Sequence, residues 1–155
     1  MKLESSAFSD GGPIPAPFAM PAAGGSNRSL PFAWSEEPPG TRSFALSIVD
    51  PHPVANNWVH WLVVNIPADV HALAGGASGG KMPPGCQELR NGFGQAAYGG
   101  PQPPPGSGQH PYVCTLFALD VATIQVTGGT TLEAFHGALH GHIIDKAELT
   151  GLFGR

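Results

Sequence analysis

Basic residues are scarce in this chain: Lys and Arg number 7 against 11 Asp and Glu, for a formal net charge of −4. That balance offers no positive field to hold a nucleic acid backbone or an anionic membrane at long range, so any anion site has to be local. Cysteine is nearly absent. Two residues, Cys86 and Cys114, cannot make a disulfide framework, and Cys114 lies in an apolar run where a reduced, buried thiol is expected. Long hydrophobic runs are missing too. None approaches the roughly 18 apolar residues of a membrane span. The start, Met1–Ser6, lacks the apolar stretch of a secretory signal. The expected setting is the cytoplasm.

Glycine and proline are abundant, with 22 and 17 in 155 residues, against ordinary usage of about 7% and about 5%. Disorder would be one reading of that excess. However, 41% of residues are hydrophobic and only 12% are charged, the reverse of what a disordered chain needs. Gly and Pro weaken helix interiors by about 1 and about 3 kcal/mol relative to Ala, so a folded chain with many turns and little helix is expected. Its length fits one domain over residues 1–155.

Three segments have strand character. Ser43–Asp50 sets Phe44, Leu46 and Ile48 on one face, with Ala45, Ser47 and Val49 on the other. Trp58–Ile66 and Tyr112–Asp120 are apolar on both faces, as interior strands are. His142–Leu149 could be a last strand or a short helix. Thr131–Leu139 alone has helical spacing, with Leu132, Phe135 and Leu139 in one stripe and Thr130 as the expected cap. Residues Gly11–Pro21 suit an extended segment or edge strand, Gly75–Gly85 a mobile loop, and Gly99–Gly108 (GGPQPPPGSG) a stiff polyproline-like loop. The class is all-β, an antiparallel β-sandwich with one or two short helices.

Two motifs carry less chemistry than they suggest. Gly76–Gly80 matches G-x-S-x-G, but a nucleophile elbow must join a buried strand to a helix, and Lys81-Met82-Pro83-Pro84 cannot continue as one. His136, His140 and His142 have a spacing that could suit a metal, yet Gly137 and Gly141 interrupt the helix and no acidic partner lies among them. Asp50-Pro51-His52, Trp58-Val59-His60-Trp61 and Gly108-Gln109-His110-Pro111-Tyr112 are more informative, because all three lie at strand ends. By alternation His60 should share a face with Trp58 and Leu62, with Trp61 opposite. An imidazole fixed by a neighbouring carboxylate can bind a small anion at such a mouth, walled by the glycine-proline loop.

These motifs occur in an order that resembles the phosphatidylethanolamine-binding protein family, in its prokaryotic Raf-kinase-inhibitor-like branch. Its marks are Asp50-Pro51, the W-x-H-W of Trp58–Trp61, the Y-G-G-P-x-P-P of Tyr98–Pro104 and the G-x-H-x-Y of Gly108–Tyr112. Phe8–Pro15 and Gly141–Gly151 extend the likeness over nearly the whole chain. The resemblance implies a Greek-key β-sandwich without catalytic activity or cofactor, binding phosphate or a phospholipid headgroup. Its ligand-binding residues would be Asp50, Pro51, Trp58, His60, Gly100, Pro101, Pro103, Pro104, His110 and Tyr112. The chain departs from the family pattern at His52 (usually Asp), Gln102 (usually Cys), Pro111 (usually Arg) and Phe153 (usually Tyr). If the usual Asp and Arg pair, losing both leaves no unpaired buried charge.

The first reading is therefore a non-enzymatic binding protein holding a phosphate-like anion between His60 and His110. A second is an inhibitor or scaffold acting through its surface on a kinase or serine protease, with a homodimer among the partners the resemblance suggests. A third, ranked last, is a metal-dependent hydrolase using Asp50, His52, His60 and His110.

Overall fold

The computed structural model describes residues Met1–Arg155. Its strands are β1 (Lys2–Glu4), β2 (Phe32–Ser35), β3 (Ser43–Asp50), β4 (Trp58–Pro67), β5 (Ala72–Leu73), β6 (Gln87–Glu88), β7 (His110–Leu119) and β8 (Ile143–Phe153). One helix, α1, spans Leu132–Leu139. The strands form two antiparallel sheets, a small one ordered β1-β2-β5 and a large one ordered β6-β4-β3-β7-β8.

The apolar runs of β3, β4 and β7 occupy the middle of the large sheet because both of its faces are covered. Phe44, Leu46, Ile48, Trp61, Val63, Cys114 and Leu116 pack against Leu3, Phe32, Trp34 and Leu73 of the small sheet. On the far face Ala45, Leu62, Val64, Phe117 and Leu119 pack under Phe135 and Leu139 of α1, with Ile124 from a loop. The helix thus adds a third layer to the expected sandwich. No helix is long and apolar enough to cross a membrane.

Several boundaries differ from the sequence reading. β7 starts at His110 rather than Tyr112, so His110 joins the ladder, opposite Phe153. The C-terminal segment is a strand along its whole length, an edge whose far end is covered by residues 11–14 through Gly11 N–H to Thr150 and Ile14 N–H to Leu152. Residues Gly11–Pro21 are extended only in part: Pro13 bridges Leu152, but Ala16–Phe18 and Pro21–Ala23 close as 3-10 turns. The cap of α1 is Thr131, whose hydroxyl accepts the Ala134 N–H at 3.1 Å. Thr130 instead donates to the Thr127 carbonyl.

Removing that cap should cost about 1 kcal/mol in Thr131→Ala and little in Thr130→Ala. Urea unfolding of the two variants checks the order.

Candidate functional site

The site begins with a break in strand alternation. Ile48 pairs with Trp61, and the next residue of β3, Val49, pairs with Val59, which leaves His60 as an extra residue in β4. This β-bulge re-aims the side chain. His60 therefore meets Tyr112 at a ring distance of 4.9 Å, on the side of the small sheet, while Leu62 lies under the helix. The expectation that His60 shares a face with Leu62 and opposes Trp61 is corrected: Trp61 belongs to the same core as Tyr112.

His60 is tied to the glycine-proline loop twice. Its Nδ1–H donates to the Gly99 carbonyl at 2.7 Å, and its own carbonyl accepts the Gly99 N–H at 2.8 Å. A carbonyl can only accept, so Nδ1 carries a proton in every state of the ring. Burial holds the His60 pKa below its ordinary 6.5, against the opposing pull of the Gly99 carbonyl and the Asp50 charge. At neutral pH the ring is uncharged and Nε2 bears a lone pair.

Asp50 and His110 form the second anchor, both fully or nearly buried. Asp50 Oδ2 accepts from His110 Nδ1 at 2.6 Å and Oδ1 accepts the His52 N–H at 2.8 Å. His110 Nε2 lies 2.8 Å from Ser107 Oγ. Asp50, His110 and Ser107 thus have the spacing of a nucleophilic triad. Yet the Ser107 hydroxyl gives its one proton to the Pro104 carbonyl at 2.6 Å, which closes the turn after the prolines. Both His110 nitrogens are thus engaged, Nδ1 by Asp50 and Nε2 by Ser107. His52 lies flat on this ring, with centroids 3.8 Å apart and planes 12° apart. The unusual residue at position 52 is answered by His110 rather than by Pro111.

Between these anchors opens a cavity of about 420 Å3, lined by Asp50, Val54, Ala55, Trp58, His60, Gly92, Phe93, Gln102, Pro103, Pro104, His110 and Tyr112. Trp34 Nε1 is the single buried side-chain polar atom without a partner. His60 Nε2 and the Tyr112 hydroxyl also lack partners, so both must open on the cavity. Burial, and then the Asp50 charge, push the Tyr112 pKa well up, keeping the phenol protonated.

Seven of the ten residues singled out from sequence meet at this cavity: Asp50, Trp58, His60, Pro103, Pro104, His110 and Tyr112. The other three do not line it. Pro51 is exposed at the turn. Gly100 and Pro101 lie behind the wall, where the Gly100 N–H bonds Asn27 Oδ1 and the Pro101 carbonyl accepts the Met20 N–H. Only glycine fits at 100, since a Cβ would sit 2.1 Å from the Phe18 carbonyl oxygen. The loop, expected to be stiff from its prolines, is also tied down by Arg155, whose Nε donates to the Pro103 carbonyl at 2.7 Å.

Five lining residues escaped the sequence reading. Phe93 and Gly92 arrive on a turn built by Asn91, whose Oδ1 accepts the Phe93 and Gln95 N–H groups. The Asn91-Gly92 dipeptide was the available signal. Val54 and Ala55 follow the His52 turn, and Gln102 stands among the prolines.

The set-aside motifs have structural uses. Ser78 donates to Glu88 Oε1 and accepts the Tyr98 N–H, bracing the segment that precedes Gly99. Residues 75–85 are thereby more tethered than the sequence suggested. His142 pairs with Asp120 at 3.0 Å. No three His, Cys, Asp or Glu side chains converge as metal ligands would, and Asp50, His52, His60 and His110 are no exception.

Comparison with known proteins places relatives around this architecture. The family model described as phosphatidylethanolamine-binding protein matches residues 4–154. The Escherichia coli protein YbhB is 37% identical over 158 residues, covering 99% of each chain. A Mycobacterium tuberculosis relative, LppC, carries the word lipoprotein in its name and is 35% identical, over 99% of this chain and 72% of its own. The crystal structure of Escherichia coli YbcL, described as a new member of the mammalian PEBP family, has a TM-score of 0.93 at 33% identity, covering 99% and 98% of the two chains. The Chlamydia trachomatis homolog CT736 gives 0.85 at 32%, over 99% and 97%.

Two stability predictions arise from the anchors. Asp50→Ala leaves the buried His110 Nδ1 without its acceptor and should cost about 1–3 kcal/mol, read by denaturant unfolding. His60, with its folded pKa below the unfolded 6.5, stabilises the fold fully above that value and loses the contribution as pH falls below it. The urea midpoint should therefore drop as pH falls below about 6.5, with a shallower drop in His60→Gln.

Proposed function

The chain belongs to the phosphatidylethanolamine-binding protein family, and from that membership we propose a non-enzymatic binding protein whose cavity takes a small oxyanion, either phosphate or the phosphate of a phospholipid headgroup. The observation that carries this reading is the pair of unpartnered polar atoms, Tyr112 Oη and His60 Nε2, facing one cavity of ligand size. Small-molecule sites have this character: mostly apolar walls and a few convergent polar groups. Trp58 and Val54 at the mouth are 40% and 58% exposed, offering an apolar rim to whatever the phosphate is attached to. Asp50, Trp58, His60, Pro103, Pro104, His110 and Tyr112 form the site, and Pro51, Gly100 and Pro101 support it from behind.

His110 is assigned a positioning role, since both of its nitrogens are already engaged. The sequence reading gave the anion to His60 and His110 together. The revised assignment gives it to His60 and Tyr112.

Titration calorimetry with inorganic phosphate tests the proposal. Binding should weaken from about pH 6 to about pH 8, as phosphate loses its second proton while the His60 ring stays neutral. Tyr112→Phe should weaken it about five- to tenfold, the worth of one hydrogen bond. A flat pH profile with an unaffected Tyr112→Phe would overturn the assignment. A kinase or protease partner is the second reading, and capture unaffected by His60→Ala would favour its surface form. We also propose a cytoplasmic setting, because Cys86 and Cys114 are both unpaired. Burial and the Glu88 charge push the Cys86 thiol up to about 11, which suppresses its reactivity. Cell fractionation decides between this and the exported setting that LppC's name suggests.

A further inference from the structure

On the footing of the oxyanion reading above, we infer that the cavity takes its ligand in a protonated form, with one ligand O–H donating to His60 Nε2, and discriminates against oxyanions that carry no proton. The groups that face the ligand define this preference. His60 Nδ1–H is committed to the Gly99 carbonyl, which leaves Nε2 as a lone-pair acceptor on the cavity. Asp50 is a lining carboxylate, and its two oxygens already accept from His52 and His110. His110 has no nitrogen to spare. The Tyr112 hydroxyl can donate one hydrogen. No Lys or Arg lines the cavity.

A bare oxyanion placed here would set its lone pairs against Nε2 and its charge beside Asp50. Relief would require a second proton on the His60 ring, which burial opposes. An acidic O–H on the ligand removes the conflict, because it turns the contact with Nε2 into a hydrogen bond and lowers the ligand charge. Tyr112 then donates to an unprotonated oxygen of the same group. The chemical class is an acid phosphate, free or as a singly ionised monoester. Of the two sources named above this selects free phosphate, because a phosphodiester headgroup carries no O–H. At neutral pH inorganic phosphate keeps at least one O–H, whereas sulfate and dimethyl phosphate have none. Size and tetrahedral shape are shared by phosphate and sulfate, so the proton is what separates them.

Calorimetry of the intact chain at pH 7 with inorganic phosphate, sulfate and dimethyl phosphate provides the test. Sulfate and dimethyl phosphate should each bind about tenfold more weakly than phosphate, or worse, the effect of leaving an acceptor unpaired. Nitrogen-15 shifts of His60 give a second readout. The ring should show a protonated Nδ1 and an unprotonated Nε2, free and with phosphate bound. If sulfate binds as well as phosphate, or if Nε2 is protonated in the phosphate complex, the inference falls while the oxyanion site stands. If phosphate itself fails to bind a folded protein, the oxyanion reading falls and takes this inference with it.

Discussion

The buried pairing of Asp50 with His110 is the contact from which the rest of the site hangs. It joins the end of β3 to the start of β7, two neighbouring strands that would otherwise be free to splay at their open ends. Each partner then reaches outward. Asp50 shapes the turn through the His52 N–H, and His110 reaches Ser107 and so holds the proline loop. Taking one partner away leaves the other buried and unsatisfied, which is the costly way to break such a pair. A buried polar pair need not add net stability, but here it fixes three segments relative to one another. The cavity is the space that this fixation leaves open.

The large sheet shows why so much of the architecture could be read from residues. A strand apolar on both faces requires two covers, and β3, β4 and β7 have them in the small sheet and in α1. The spacing of Leu132, Phe135 and Leu139 announced the helix, and strand ends rich in His, Asp and Tyr announced the mouth. Alternation failed at His60, because a bulge is a property of pairing between two strands and leaves no mark on one of them. The same limit hid Phe93. Its place depends on Asn91 folding a turn across from Trp58, a contact between segments far apart in the chain. His110 was recognised but given the wrong duty, since its partners Asp50 and Ser107 exhaust its nitrogens only in three dimensions.

Glycine and proline divide the labour of the cavity wall. The prolines stiffen Pro101–Pro104, while Gly99 and Gly100 let that stiff piece lie against neighbouring backbone. Arg155 and Ser107 hold the other end. A wall fixed at both ends loses little freedom when a ligand arrives, which favours binding through a small number of polar contacts. The excess of these two residues is therefore spent on rigidity at the place where the chain lacks regular structure.

The bulge at His60 also separates the fate of the cavity from that of the core. From Trp61 to Val63 β4 is paired with β3 without interruption, a second irregularity falls between Val63 and Ile66, and the extra residue at His60 lies just outside that stretch. A change of one residue in the length of β4 at this point would fall on the rim alone. It would turn the imidazole and the indole of Trp58 to new directions and leave the hydrophobic layers in register. In such a scaffold, ligand preference can drift by insertion and deletion as readily as by substitution, without loss of the fold.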